Sequence, residues 1–399
     1  MRILIASDLH WPMRNGIATF GRTLAQGLAD AGHEVMVIAP SQTGGRHIEI
    51  DKNHEVARVT SLPFPFFPDY RVSIDPGIEV RQYVADFKPD VIHIQTPLGI
   101  GFWARQAAKK YNIPVVATNH AMPENIVENL KAIGPFTKPV KRILEEYGEW
   151  FHSNYVDYIT TPTQAAIDMY GDIIKKFNVP IKAISCGINL ARFKPGDRDD
   201  KLMAKYGIPN KPIVQYAGRL DGEKHVSVLI NAFNKVRDSH DAHLVVSGGG
   251  NDEDNLKNQV QALGLGKHVS FLGRVSDTEL PKIYHLGDVF VMPSPAELQS
   301  IVTMEAMASG QPVVAVDAGP LYELCQDGRN GYLCIVDDDT QMAKKISAIL
   351  SDKKLQARMS KQSVEIAKTH DIRHTVVEYM AVYTEAIERH GKRRKVERV

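Results

Sequence analysis

The chain has 399 residues, 43% hydrophobic and 24% charged, and its formal net charge of +1 supplies no global field for nucleic acid. Its three cysteines, Cys186, Cys325 and Cys334, are too widely spaced for a disulfide framework or a zinc site and suit a reducing cytoplasm. No apolar run approaches the ~20 residues of a membrane span, and the opening MRILIASDLHW is too short, with the wrong flanks, for a signal peptide, so only peripheral membrane contact is left open.

In chain order, RILIAS (2–7) predicts a buried strand. DLHWPMRNG is a loop, and a helix follows from about Ile17 to Ala31, with apolar or small residues at Ile17, Phe20, Leu24, Leu28 and Ala31. Gly32 stops it and EVMVIAP is a second strand. This βαβ opening predicts a parallel, doubly wound sheet with ligands at the carboxyl ends of its strands. The loop holds one glycine, Gly16, where G-x-G-x-x-G would be needed for a dinucleotide fingerprint. Gly16 reads either as a turn glycine or as a phosphate contact. Residues 44–72 contain a strand-like run and LPFPFFPDY, whose prolines exclude a central strand. That stretch reads first as a packed surface loop and second as a lipid- or acceptor-facing lip. DVIHIQTP (90–97) and PVVAT are further strands. His120, just past the second of these, is either a core histidine or a site residue. Residues 136–170 read as mostly helical, with Phe136, Val140, Ile143, Leu144, Tyr147, Trp150 and Phe151 in one stripe. Lys131, Lys138, Lys141 and Arg142 at its start suit either anionic lipid or a solvated basic end. The polar run GDRDDKLMAKYG marks a linker region and puts a domain boundary near residue 195.

The second half opens with PIVQYAGRLDGEKHVSVLINAF. Its strand delivers Arg219 and then Lys224, a planar fork and a point charge suited to a diphosphate leaving group. HLVVSGGG ends a strand in three glycines, which permits close backbone approach. Asp252 and Asp254 form a D-x-D pair, but acidic residues at a helix start are expected there anyway. Residues 293–314, PSPAELQSIVTMEAMASGQPVV, read as a loop carrying Glu297, a helix from about Ser300 carrying Glu305, a stop at Gly310 and a strand. Eight helical steps from Glu297 to Glu305 would cover roughly 12 Å. A lone glutamate pair at that spacing ordinarily means a solvated helix face. Two helices, about 340–351 and 354–368, follow. A last helix over 371–389 carries Val376, Tyr379, Met380 and Tyr383 on one face, and RHGKRRKVERV reads as a mobile basic tail.

Taken whole, residues 293–314 resemble the E-x7-E signature of the retaining glycosyltransferases of family 4. There a Ser-Pro loop, Glu, Glu-Ala-Met-Ala and Gly-x-Pro-Val-Val recur in this order, and G-R-x4-K at Gly218 to Lys224 is similar too. The resemblance implies an α/β fold of two Rossmann-like doubly wound domains facing across a cleft, the GT-B architecture. It places them at 1–195, completed by 371–399, and at 196–370. It implies a hexose moved from a nucleoside diphosphate sugar, UDP-glucose or GDP-mannose, with retention and with no metal required. Glu305 would hold the ribose, and Glu297 with backbone N–H groups at Gln299, Ser300 and Ile301 would hold the sugar. Arg219 and Lys224 would hold the diphosphate, Gly16 would lie near the donor phosphates, and His120 would contact the sugar. Gln299-Ser300 stands where Phe-Gly is commonest, and Gln there is similar to the glycolipid-forming members. His225 stands where glycine is common. The implied acceptor is a membrane lipid such as diacylglycerol or phosphatidylinositol, met by an enzyme peripheral on the inner face of the membrane. A soluble sugar or glycan-precursor acceptor, a sugar-nucleotide epimerase and a non-catalytic nucleotide-sugar-binding module are the alternatives.

Overall fold

The computed structural model describes residues 1–13, 15–64, 67–120, 137–168 and 179–397. The chain divides into two compact units, Met1–Gly187 with Ile372–Val399, and Ile188–Asp371.

In the first unit an eight-stranded sheet has the order β10-β9-β8-β7-β1-β2-β4-β3. Its strands are β1 (Arg2–Ala6), β2 (Glu34–Pro40), β3 (His47–Asp51), β4 (His54–Val59), β7 (Val91–Ile94), β8 (Val115–Thr118), β9 (Tyr158–Thr161) and β10 (Ile181–Ala183). All pair parallel except the antiparallel edge strand β3. The central strands are uninterrupted apolar runs because helices cover both faces of a parallel sheet. Ile3, Leu4, Ile5, Val37, Ile38 and Ile92 have no exposed surface. The first helix, Gly16–Asp30, starts one residue before the predicted Ile17 and is capped by Asn15, whose side chain accepts from the Ala18 N–H at 2.8 Å. Such a cap contributes about 1 kcal/mol. The C-terminal helix, Ile372–Glu397, packs on it at Gly27, where a Cβ would come within 2.7 Å of Val376. Val376, Tyr379 and Tyr383 are buried, as the stripe predicts, while Met380 is only partly covered. The helix runs on through the basic run read as a tail.

Two readings change here. The strand-like run within 44–72 is β3 and β4 of the sheet, whereas LPFPFFPDY, read first as a surface loop, holds β5 (Leu62–Phe64), which pairs with β6 (Phe67–Val72) as a separate two-stranded ribbon. The stripe on the Thr137–Ser153 helix is not uniformly core, since Phe151 is buried but Ile143 is 62% and Trp150 44% exposed. The basic-aromatic start at Lys131, Ile133 and Phe136 lies outside the described residues.

In the second unit six parallel strands have the order β13-β12-β11-β14-β15-β16. They are β11 (Ile213–Ala217), β12 (His243–Ser247), β13 (Val269–Gly273), β14 (Val289–Met292), β15 (Val313–Val316) and β16 (Gly331–Cys334). This is the 3-2-1-4-5-6 order of a doubly wound nucleotide-binding sheet, with its switch point between β11 and β14. The unit's two ends meet at a parallel bridge between Ile188 and Asp371, eight residues or fewer from the boundary expected near residue 195.

Candidate active site

In a doubly wound sheet, the crevice at the switch point opens between the loops that leave the two flanking strands. After β11 that loop is Gly218–Lys224, and after β14 it is Pro293–Ser300. The first is held by the glycine triplet. A Cβ at Gly248, which has φ +134°, would lie 1.7 Å from the Gly218 carbonyl oxygen, and one at Gly250 would strike the Leu220 backbone at 2.4 Å. The close approach expected of these glycines is therefore backbone against backbone, and it fixes the turn that carries Arg219. The D-x-D pair behaves as a helix start: Asp252 accepts from the Asn255 amide at 2.8 Å, and Asp254 lies in the first turn of Glu253–Ala262.

Arg219 donates to Asp221 and to Glu223. Lys224 donates to Glu297 Oε1 at 2.8 Å and lies 3.6 Å from Glu223. The Glu223 side chain is 4% exposed, those of Lys224 and Glu297 13% each, and Arg219 keeps a third of its surface in solvent. Two cations thus face three carboxylates, Asp221, Glu223 and Glu297, in a partly dry cluster that joins both switch-point loops. Glu297 and Lys224, which the sequence separates by 73 positions, form one unit here. An incoming diphosphate would compete with these carboxylates for both cations.

Ser300 is the N-cap of the Ile301–Ala308 helix, so the predicted start is one residue early. Only the steps from Ile301 to Glu305 are helical, which accounts for roughly 6 Å of the predicted 12. Ser300 is 1% exposed and accepts from the Thr303 hydroxyl at 2.8 Å, while Gln299 and Ile301 are partly exposed. The helix presents its unpaired first-turn N–H groups and positive dipole end beside them. Glu305 turns inward. It is 6% exposed and accepts from the Tyr284 hydroxyl at 2.9 Å. Tyr284, fully buried, is wedged edge-on against Phe193. Burial raises the Glu305 carboxyl to about 7, against the opposing pull of the Tyr284 hydrogen bond and the Arg192 charge. A carboxyl poised near neutrality next to a fixed donor suits recognition of hydroxyl groups. His225 has φ +50° and a hydrogen bond to Asp337 at 2.7 Å, so a left-handed backbone explains why glycine suits this position in the resembled family.

In the first unit, the switch point lies between β1 and β7. Asp8, after β1, accepts from the Thr96 hydroxyl at 2.8 Å and the Ile100 N–H at 2.9 Å, and burial raises its carboxyl. His120, after β8, is partly exposed, packs on the Phe20 ring at 5.0 Å and contacts Gln95 Oε1 at 2.6 Å. Gly16 opens the first helix, and a Cβ there would meet nothing within 4 Å. Sequence reasoning brought forward Arg219, Lys224, Glu297 and Glu305 but missed Tyr284 and Gln95, whose contacts are tertiary. Glu223 stood in plain view beside Lys224, and its i, i+4 spacing from Arg219 was the available signal.

Among the described residues, one group of three could hold a metal ion: His10, Asp51 and His54, with ligand atoms within 4.8 Å of one another. Arg22 holds both Asp51 oxygens, at 2.6 and 2.8 Å, and burial, joined by the Arg58 charge, depresses the His10 imidazole. These cationic surroundings do not fit a further cation. None of the three belongs to the switch-point cluster of the second unit.

Comparison with known proteins agrees with this anatomy. Residues 14–192 match the family described as Glycosyltransferase Family 4, and residues 198–365 match Glycosyl transferases group 1. Together with two Rossmann-like domains, these matches define the chain as a GT-B glycosyltransferase of the family 4 type. Among its relatives, the Streptococcus pneumoniae alpha-monoglucosyldiacylglycerol synthase is 29% identical over 85% of this chain and 76% of its own length. The GDP-mannose-dependent alpha-mannosyltransferase of Mycolicibacterium smegmatis is 28% identical over 92% of this chain and 94% of its own. The phosphatidyl-myo-inositol mannosyltransferase of the same organism is 28% identical over 96% and 93%. In fold, the chain is similar to sucrose-phosphate synthase from Thermosynechococcus elongatus, with a TM-score of 0.77 and 22% identity over 96% of this chain and 98% of the other. It is also similar to Anabaena HepE in complex with UDP and glucose, with a TM-score of 0.73 and 21% identity over 96% and 99%.

Proposed function

We propose that this glycosyltransferase moves a hexose, with retention at the anomeric carbon, from UDP-glucose or GDP-mannose to a hydroxyl of a membrane lipid such as diacylglycerol or phosphatidylinositol. The observation that carries the reading is the Lys224–Glu297 pair, with Arg219 beside it, at the nucleotide-binding switch point. In the reaction, the bond from the anomeric carbon to the diphosphate oxygen breaks and a bond to the acceptor oxygen forms on the same face. The acceptor proton passes to the leaving phosphate. Arg219, Lys224 and the N-terminus of the Ile301–Ala308 helix stabilise the charge gathering on that phosphate. Glu305 holds the ribose hydroxyls, Glu297 with the N–H groups of Gln299, Ser300 and Ile301 holds the sugar hydroxyls, and Gly16 lies near the donor phosphates. His120 contacts the sugar.

Three features support a lipid acceptor. Of the relatives above, one is named as an alpha-monoglucosyldiacylglycerol synthase and one as a phosphatidyl-myo-inositol mannosyltransferase. Most of the exposed large apolar side chains lie in the first unit, among them Leu62, Phe64, Ile74, Ile78, Ile143 and Trp150. Arg389, Lys392 and Arg393 line a surface pocket with Ser153 and Asp157, a basic setting for an anionic headgroup. Among the described residues no helix is long and apolar enough to cross a membrane, so lipid contact would be peripheral.

The test is a screen of both donors against vesicles carrying diacylglycerol or phosphatidylinositol, with and without phosphatidylglycerol. Glycolipid formation with one donor, and pelleting with the anionic vesicles that weakens as salt rises, are expected. No pelleting at low salt, or transfer only to soluble sugars, would overturn the lipid acceptor. A mass-neutral change of the donor without acceptor would point to an epimerase, and donor binding without turnover to a binding module.

A further inference from the structure

The Glu305 carboxyl is held by a frame that lies wholly within the second unit. Tyr284 ends the short helix Leu280–Tyr284, and its hydroxyl lies 2.9 Å from Glu305 Oε2. Burial, joined by the charge of the Glu305 carboxyl, lifts the Tyr284 phenol well above its ordinary value, so the hydroxyl keeps its proton and donates. Among the described residues it is the hydrogen-bond partner of that carboxyl, and it engages one oxygen only. Oε1 is left to a ligand.

Tyr284 is itself held from several sides. Its ring meets Phe193 edge-on at 5.8 Å between centroids and leans on Phe290 at 6.2 Å. Its backbone carbonyl accepts from Gln311 Nε2 at 2.7 Å, and the Ile283 carbonyl accepts from Gln215 Nε2 at 2.9 Å. Gln311 Nε2 also donates to Gln215 Oε1 at 2.6 Å. A backbone carbonyl can only accept, so the orientation of both amides is fixed. Phe193, Gln215, Phe290 and Gln311 are all buried. Gln215 and Phe290 pair in register on β11 and β14, the strands that flank the switch point. A Cβ at Gly287 would come within 2.3 Å of Gln311 Oε1 and 2.5 Å of Gln215 Oε1, so the glycine makes room for the two amides. Packing this close holds the tyrosine ring in one orientation.

We infer that Tyr284 is a positioning residue, whose hydroxyl takes one oxygen of Glu305 and so turns the other toward the ribose hydroxyls of the donor nucleotide. The inference rests on the reading above that Glu305 holds the ribose. An untethered carboxylate would lose rotamer freedom at each binding event, whereas a tethered one has less to lose. The hydroxyl also favours the ionised carboxyl over the protonated one. Arg192 acts in the same direction and Asp277 against it, and Arg192 donates to the Asp277 carbonyl at 2.6 Å. Without the hydroxyl, burial is less opposed and the carboxyl ionises at a higher pH.

The test compares UDP and GDP with their dideoxy counterparts, which lack both ribose hydroxyls, by calorimetric titration of the full chain between pH 6 and pH 9. The ratio of dideoxy to ribo dissociation constants isolates the ribose contact. For the nucleotide that binds, the wild type is expected to give a ratio of about 100 at pH 8. Tyr284→Phe should lower it to about ten, keep the dideoxy affinity within about twofold, and move the rise of the ratio with pH up by about one unit. An unchanged ratio, or an equal loss for both nucleotides with the pH dependence unmoved, overturns the inference. Phe193→Leu keeps the hydroxyl but removes its edge-on wall, and should lower the ratio by about threefold. It carries the test if Tyr284→Phe does not fold, and an unchanged ratio there overturns the inference as well. A wild-type ratio near one would instead overturn the ribose reading of Glu305 on which the inference stands.

Discussion

Lys224→Ala is expected to lower kcat by about 10²- to 10³-fold, the usual loss when one donor aimed at developing charge is removed. The leaving nucleoside diphosphate gains negative charge as its bond to the sugar breaks, and a fixed ammonium acts most strongly at that moment. Lys224 is well placed for this, being 13% exposed and held by Glu297 at 2.8 Å. Its removal also leaves Glu297 without its cation and Glu223 with Arg219 alone. Part of any loss could then be structural, since an uncompensated, partly buried carboxylate is costly. The double variant Lys224→Ala/Glu297→Gln separates the two effects: it should recover thermal stability but not kcat. Steady-state kinetics and a melting curve on the same preparations make the measurement. A Lys224→Ala enzyme with wild-type kcat would remove the electrostatic core of the mechanism.

Glu305→Ala is expected to weaken donor binding by about 100-fold, as two charge-assisted hydrogen bonds to ribose hydroxyls at ~1.5 kcal/mol each would give. The same residue sets a pH dependence. Its carboxyl is raised in the folded protein to about 7 from 4.5. The folded state therefore holds more protons than the unfolded chain between those values, and stability falls as pH rises through that window. Glu305→Gln, which can still accept from Tyr284, should be more stable than the wild type at pH 8 and equal to it at pH 4. Donor binding runs the other way. The ionised carboxylate is the stronger acceptor, so affinity should rise from pH 6 to pH 8 in the wild type and stay flat in Glu305→Gln. Melting curves at pH 4 and pH 8 read the first effect, and calorimetric titration with donor between pH 6 and pH 8 reads the second. Undiminished binding by Glu305→Ala would remove this residue from the donor site.

Much of this was legible before any coordinates. Strands such as RILIA, VIHI, IVQYA, VFVM and VVAV announce themselves because a parallel sheet buries both faces and leaves no polar alternation to blur the run. The string around Glu297 and Glu305 was legible because loop, helix and strand follow one another without a break. What escaped has physical causes. The edge strand β3, HIEID, is half polar because only one side of it pairs, and its turn into β4 uses Lys52 at φ +59° where a glycine would have signalled a hairpin. Tyr284 reaches Glu305 across 21 positions, and Gln95 reaches His120 across 25, so neither pairing leaves a local pattern. The stripe on Thr137–Ser153 marks one apolar face, and of that face Phe151 is buried while Ile143 is exposed to solvent. Periodicity shows which side of a helix is apolar but not whether anything covers it.

The stereochemistry of the transferred sugar tests the central claim most directly. Both candidate donors carry their sugar in the α-configuration, and the glycolipid formed on diacylglycerol or phosphatidylinositol vesicles can be read by the one-bond carbon–hydrogen coupling at its anomeric carbon. Departure and attack on one face, with Arg219 and Lys224 holding the leaving diphosphate, require an α-linked product. A β-linked product would contradict the account.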